Sequence, residues 1–362
     1  MNAKGGAARR ARLLVMSVVM ILMGTAAYAG SITTVASTVP ANGDVNPYGV
    51  AIVPTTTGTL TQGNILVSNF NNSFNLQGTG TTIVQISPNG KASLFAQINA
   101  STLPSPCPGG IGLTTALVAL KTGWVIVGSL PTTDGTAGTA QAGCLLVLDS
   151  SGNVAETFFG SLINGPWDMT AADMGSSASL FVTNVLNGTV AAGGDVVREG
   201  TVVRLNLTIS KGSMPSLQSI TVIGSGFSER TDPAALVIGP TGVGLDLLGQ
   251  VLYVADSLNN RIAAISDPLT REVSAGTGTT VSEAGALNDP LGLTIAPDGN
   301  IVTVNGNNGL ALATTPFGQQ IRKALLDNSG SPPGAGALFG LAFVGPRLYF
   351  VDDAQNNLNV FQ

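Results

Sequence analysis

Beyond residue 30 the chain is a succession of short apolar runs broken by polar, glycine-rich turns, with no stretch of helical periodicity long enough to compete. Several runs end on a side-chain amide or carboxylate. They are Ile65-Leu66-Val67-Ser68-Asn69, Leu180-Phe181-Val182-Thr183-Asn184, Leu252-Tyr253-Val254-Ala255-Asp256, Ile301-Val302-Thr303-Val304-Asn305 and Tyr349-Phe350-Val351-Asp352-Asp353. Val125-Ile126-Val127-Gly128-Ser129 is a weaker copy without the terminal acid or amide. Their length and β-branched content predict strands. A second, recurring signal precedes each run: Pro47-Tyr48-Gly49, Gly110-Ile111-Gly112, Pro166-Trp167-Asp168, Gly242-Val243-Gly244, Pro290-Leu291-Gly292 and Leu338-Phe339-Gly340. From Gly244 to Gly292 and from Gly292 to Gly340 the interval is the same 48 residues, and the earlier intervals are longer. These are six copies of one unit, with insertions gathered in the first three.

The copy running from Leu252 to Ile262, Leu-Tyr-Val-Ala-Asp-Ser-Leu-Asn-Asn-Arg-Ile, resembles the signature of NHL repeats. The resemblance implies an all-β, six-bladed β-propeller with four-stranded antiparallel blades over residues 30–362. Glycine at the innermost positions fits blades that converge on an axis, where backbone must approach backbone. The last copy stops one strand short, and Ser31-Ile32-Thr33-Thr34-Val35-Ala36 reads as an isolated strand. Pairing it with Asn357–Phe361 would close the ring and remove the exposed edges.

Residues 1–29 carry Lys4, Arg9, Arg10 and Arg12 ahead of the apolar run Leu13–Met23 and the Ala27-Tyr28-Ala29 motif. This is the pattern of a cleaved secretory signal peptide and predicts a periplasmic or secreted protein with no stable membrane insertion. Its removal takes four positive charges from a net of −5, leaving −9. Such a balance argues against nucleic acid as a partner. With 44% hydrophobic and 10% charged residues, 47 Gly and 19 Pro, the composition is that of many short strands and tight turns. A monomer is expected.

The chain has no histidine, which excludes imidazole as base or metal ligand and sets it apart from NHL-like lyases that use His. Its two cysteines, Cys107 and Cys144, predict a disulfide in an oxidising compartment, pinning the segment from Pro131 to Gly143. The second-strand ends Asn69, Asn184, Asp256, Asn305 and Asp353 form a polar ring. They either hydrogen-bond their own turns or, in part, hold a cation. Asp168 stands where the other copies have Gly, and is expected at the mouth of the axial channel beside Trp167. Trp167 is either a flat binding platform or interblade packing, and Asp168 either a ligand group or a cap on backbone amides.

Three insertions, Phe70–Gly80, Leu130–Gly143 and Val185–Gly200, all follow second strands and should cover one face. Arg230 and Asp232, in the charged stretch Ser228–Pro233, lie near that face and join Trp167 and Asp168 as ligand-binding candidates. The chain also resembles gluconolactonase-like propellers, which hold a divalent metal at the axis. That resemblance implies calcium on Asp168, Asn184 and Asp256, although Val45-Asn46-Pro47-Tyr48-Gly49 lacks the Glu expected there. The expectation is therefore a cofactor-free binding scaffold for a protein, glycan or small ligand. The alternative is a calcium-dependent hydrolase of gluconolactonase type.

Overall fold

The computed structural model describes residue 1 and residues 30–362 apart from 211, so the expected signal peptide lies outside the described residues. Six antiparallel sheets surround one axis, spanning 45–97, 113–158, 166–238, 240–283, 290–325 and 338–361, the last completed by 32–37. The chain forms a six-bladed β-propeller. Strands such as Ile65–Asn71, Val125–Ser129, Cys144–Leu148 and Ile301–Asn305 are buried at every position. Blades pack on both of their faces, which is why the apolar runs are continuous rather than alternating.

The ring closes as the sequence predicts. Ile32–Ser37 pairs antiparallel with Asn357–Phe361, Ile32 opposite Phe361 and Ser37 opposite Asn357. Ser31 N donates to Gln362 O at 2.9 Å and Gln362 N returns a bond to Ser31 O at 3.1 Å.

Register shows what the repeated Asn and Asp do. Each stands opposite a residue at the start of its inner strand: Pro47 with Asn69, Pro166 with Asn184, Pro240 with Asp256, Pro290 with Asn305 and Leu338 with Asp352, the strand of blade one beginning two residues earlier at Val45. In the sixth blade the ring position is therefore Asp352 rather than Asp353. By the same register the counterpart of Gly292 in blade four is Gly242 rather than Gly244. Asn184 Nδ2 donates to Leu162 O at 3.2 Å and Asn305 Nδ2 to Ala286 O at 2.8 Å. Each amide thus anchors the connection entering its own blade, the structural device expected of such positions.

One residue earlier, hydroxyls stitch blade to blade. Ser68 Oγ accepts from Gly49 N at 2.9 Å and donates to Thr114 O at 2.7 Å. Thr183 Oγ1 accepts from Asp168 N at 3.0 Å and donates to Thr241 O at 2.8 Å. The inner-edge glycines are required by close approach: a Cβ on Gly292 would strike Phe339 O, and one on Gly340 would strike Tyr48 O.

Cys107 and Cys144 form the predicted disulfide, joining the connection between blades one and two to the start of the third strand of blade two. It holds the insertion 130–143 beside the blade, where Gly109 N donates to Ala142 O at 2.8 Å.

Candidate functional site

The insertions cover the face where second strands end, and an unexpected element covers the axis. The outer strand of blade three, Ser216–Asp232, runs far beyond the blade and turns into a short hairpin strand, Leu236–Ile238. Leu236, Val237 and Ile238 are buried in one cluster with Tyr48, Phe70, Trp167, Leu291 and Phe339. Tyr48 stacks on Phe339 at 3.9 Å and on Phe70 at 4.4 Å, and Trp167 lies 6.3 Å from both Tyr48 and Phe339. The turn of the hairpin reaches blade one across the axis, where Gln77 Nε2 donates to Pro233 O at 3.0 Å. Three-residue hydrophobic segments of this kind read from sequence as connection, and this one was missed. The axial channel is therefore shut on this face, and Trp167, 3% exposed, belongs to the plug.

Below the plug a channel of about 320 Å³ opens towards the turns between first and second strands, lined by the inner strands of all six blades. Asp168 lies at its inner end, 8% exposed. It does not stand at an open mouth on the covered face, because the hairpin and aromatic plug lie between. One carboxyl oxygen accepts from Met169 N at 2.8 Å and the other from Val243 N of blade four at 2.9 Å. Desolvation raises it to about 7 against the opposing pull of those two amides. Asp168 is a cap that ties blades three and four together.

The three expected calcium ligands do not offer a joint set of free donors. Asp168 is committed to two amides, and Asp256 accepts from Arg261 at 2.7 and 2.9 Å and from Asn259 Nδ2 at 2.9 Å. Asn184 retains an unpartnered buried Oδ1, yet its amide holds the Leu162 connection. Among the described residues no three acidic, His or Cys side chains cluster as a metal site. Calcium does not fit at the axis.

Arg230 and Asp232 are brought together. They form an ion pair at 2.8 Å, and Asp232 Oδ1 accepts from Ala234 N at 2.8 Å and Ala235 N at 3.1 Å, which fixes the turn of the hairpin. The pair forms one wall of a cavity of about 390 Å³ over blades four to six. Its floor is Leu291, Ile238 and Phe339, the outer side of the plug, and its other wall carries Asn260, Asn288 and Asp289.

Asp289 is the group that sequence reasoning missed. It precedes the inner strand of blade five with φ 56°, its N–H donates to Asn260 Oδ1 at 2.6 Å, and its carbonyl accepts from Gly306 N at 2.7 Å. Asn46, at φ 60° near the start of the first strand of blade one, likewise donates its N–H to Asn356 Oδ1 at 2.7 Å. The left-handed backbone is thus a repeat device and not in itself a mark of function. The side chain is different: Asp289 Oδ1 is buried without a hydrogen-bond partner. Desolvation, with the Asp232 charge adding to it and Arg230 opposing, raises Asp289 to about 6. The only legible signal was Asn288-Asp289-Pro290, which puts an acid where blade one has Asn46.

A carboxyl that changes charge near neutrality, beside a guanidinium and above an apolar floor, can bind a small polar molecule and exchange a proton with it. No family model matches the sequence, and no curated protein matches it either. Solved structures do resemble it. A gluconolactonase from Xanthomonas campestris shares 12% identity at TM-score 0.54, over 92% of this chain and 89% of that one. The calcium-binding protein regucalcin from Agrobacterium tumefaciens shares 12% at TM-score 0.55, over 91% and 93%. A luciferin-regenerating enzyme shares 13% at TM-score 0.54, over 92% and 94%. At such identities the likeness is one of fold, and that fold is the six-bladed β-propeller.

Proposed function

We propose that this protein takes a small polar ligand into the cavity over blades four to six and acts on it as a metal-independent hydrolase of lactones or esters. The observation that carries the reading is Asp289, an acid with one unpartnered oxygen, raised to about 6 beside Arg230. In the reaction Asp289 takes the proton from a water attacking the carbonyl carbon, and Arg230 offers N–H donors to the oxygen on which negative charge develops. The proton then passes to the departing alkoxide, so a lactone opens to a hydroxy acid. Arg230 is free to turn towards a ligand because its ion pair with Asp232 is partly exposed. The gluconolactonase among the structural neighbours favours this substrate class over a pure scaffold. The Cys107–Cys144 disulfide fits work in an oxidising, exported compartment.

A panel of sugar lactones and small esters, assayed with the metal-chelated wild type and with Asp289→Asn, tests the proposal. Turnover that falls by about 10²- to 10⁴-fold in the variant is the expected result. Turnover that is absent, with saturable binding of the same compounds retained, would replace the hydrolase by a binding scaffold.

A further inference from the structure

Glu229 is fully buried in the long outer strand of blade three, and neither of its carboxyl oxygens has a hydrogen-bond partner. It stands opposite Val197, beneath the insertion that runs from 185 to 200. The Asn187 backbone amide approaches it, and Gly239 packs between its Cβ and Val185, so the root of the insertion adjoins the carboxyl directly. Other polar atoms there are unsatisfied too. Asn164 Nδ2 donates to Asn187 Oδ1, which leaves Asn164 Oδ1 and Asn187 Nδ2 buried without partners. Glu199 lies at the exposed rim, its carboxylate beside Gly188. Among the described residues no ion pair reaches Glu229, and Arg198, the neighbour of Val197 in the opposing strand, makes none with it.

A buried carboxyl with no side-chain partner and a second carboxylate nearby either keeps its proton or gives it up to a cation held between the two. The donors are all oxygen, and no imidazole or thiolate exists to recruit a softer metal. We propose that Glu229, Glu199 and Asn164 Oδ1 form a calcium site that fastens the 185–200 insertion to blade three, with peptide oxygens of the insertion completing the shell. Calcium suits this set better than magnesium because it accepts irregular, many-oxygen coordination and bidentate Glu. With only two carboxylates and an open rim, the site belongs with extracellular modules whose dissociation constants are on the order of 10⁻⁴ to 10⁻³ M. It is separate from the Arg230–Asp289 cavity, so either assignment can fail alone.

The test is calcium titration of the full-length exported protein after chelator treatment, read by equilibrium dialysis and by protease cutting within 185–200. Wild type should take up one saturable calcium and lose cutting in the insertion as it does so. Glu229→Gln supplies a neutral group of the same shape, so this variant should fold and melt at least as high as calcium-free wild type. It should lose saturable uptake, and Glu199→Gln at the exposed rim should weaken uptake by about tenfold or more. Absence of saturable uptake by wild type at 10 mM calcium, or uptake that survives Glu229→Gln, would overturn the site.

Discussion

Two aspartates show how little residue type says without surroundings. Asp168 attracts notice in the sequence because it breaks a glycine pattern, and its oxygens turn out to be spent on Met169 and Val243 amides. Asp168→Ala should therefore lower stability by about 1–3 kcal/mol in urea denaturation, because two buried N–H groups lose their acceptor. It should leave turnover of any substrate of the covered-face cavity unchanged. Asp289, hidden behind an ordinary Asn-Asp-Pro turn, is the carboxyl with a free oxygen. As a base it works only when ionised, so kcat/KM should rise as pH climbs through about 6, and a rate that fell through that range would exclude it as the base. Sequence could place Arg230 and Asp232 near the covered face. It could not bring Asp289 to them, because that meeting depends on how the hairpin after Asp232 folds over blades four and five.

The strands were legible where hydrophobic runs are long and end on a polar cap, which is why five second strands and the closing strand were found. Register was less legible. Pro240 rather than Gly242 begins the inner strand of blade four, and Asp352 rather than Asp353 faces Leu338, because a bulge after each inner-strand start shifts the count by residues that carry no compositional mark. Leu236–Ile238 was illegible, since a strand of three residues has no periodicity to detect. Two elements can be tested independently. Reducing Cys107–Cys144, which spans 37 residues of sequence, should cost roughly 3–4 kcal/mol by the chain-entropy estimate, read as a lower melting temperature in reductant. Deleting residues 31–36 leaves the edge of Asn357–Phe361 unpaired and should produce aggregation by light scattering; a soluble variant of unchanged stability would show that the ring does not depend on this strand.

At the scale of the whole molecule the buried acids act in one direction. Asp168 and Asp353 are raised to about 7, Asp289 and Asp352 to about 6, and Glu229 to about 9, each chiefly by desolvation. Because the folded values exceed those of the unfolded chain, near 4, the native state holds more protons between the two. The stability they contribute is complete below about 4 and is lost as pH rises through 6 to 9. The chelated protein should therefore melt higher at pH 5 than at pH 8, and a melting temperature that increased over that range would contradict the burial of these groups. The hairpin over the axis has a different consequence. A propeller ring is a tube by construction, but Leu236–Ile238 turns this one into a cup, open at one end and floored by aromatic rings. Nothing that enters from the turn side can drain to the cavity above, so the two ends of the molecule are free to diverge. A bulky residue wedged into the cup at Ala342 would fill that channel and leave the cavity on the covered face untouched.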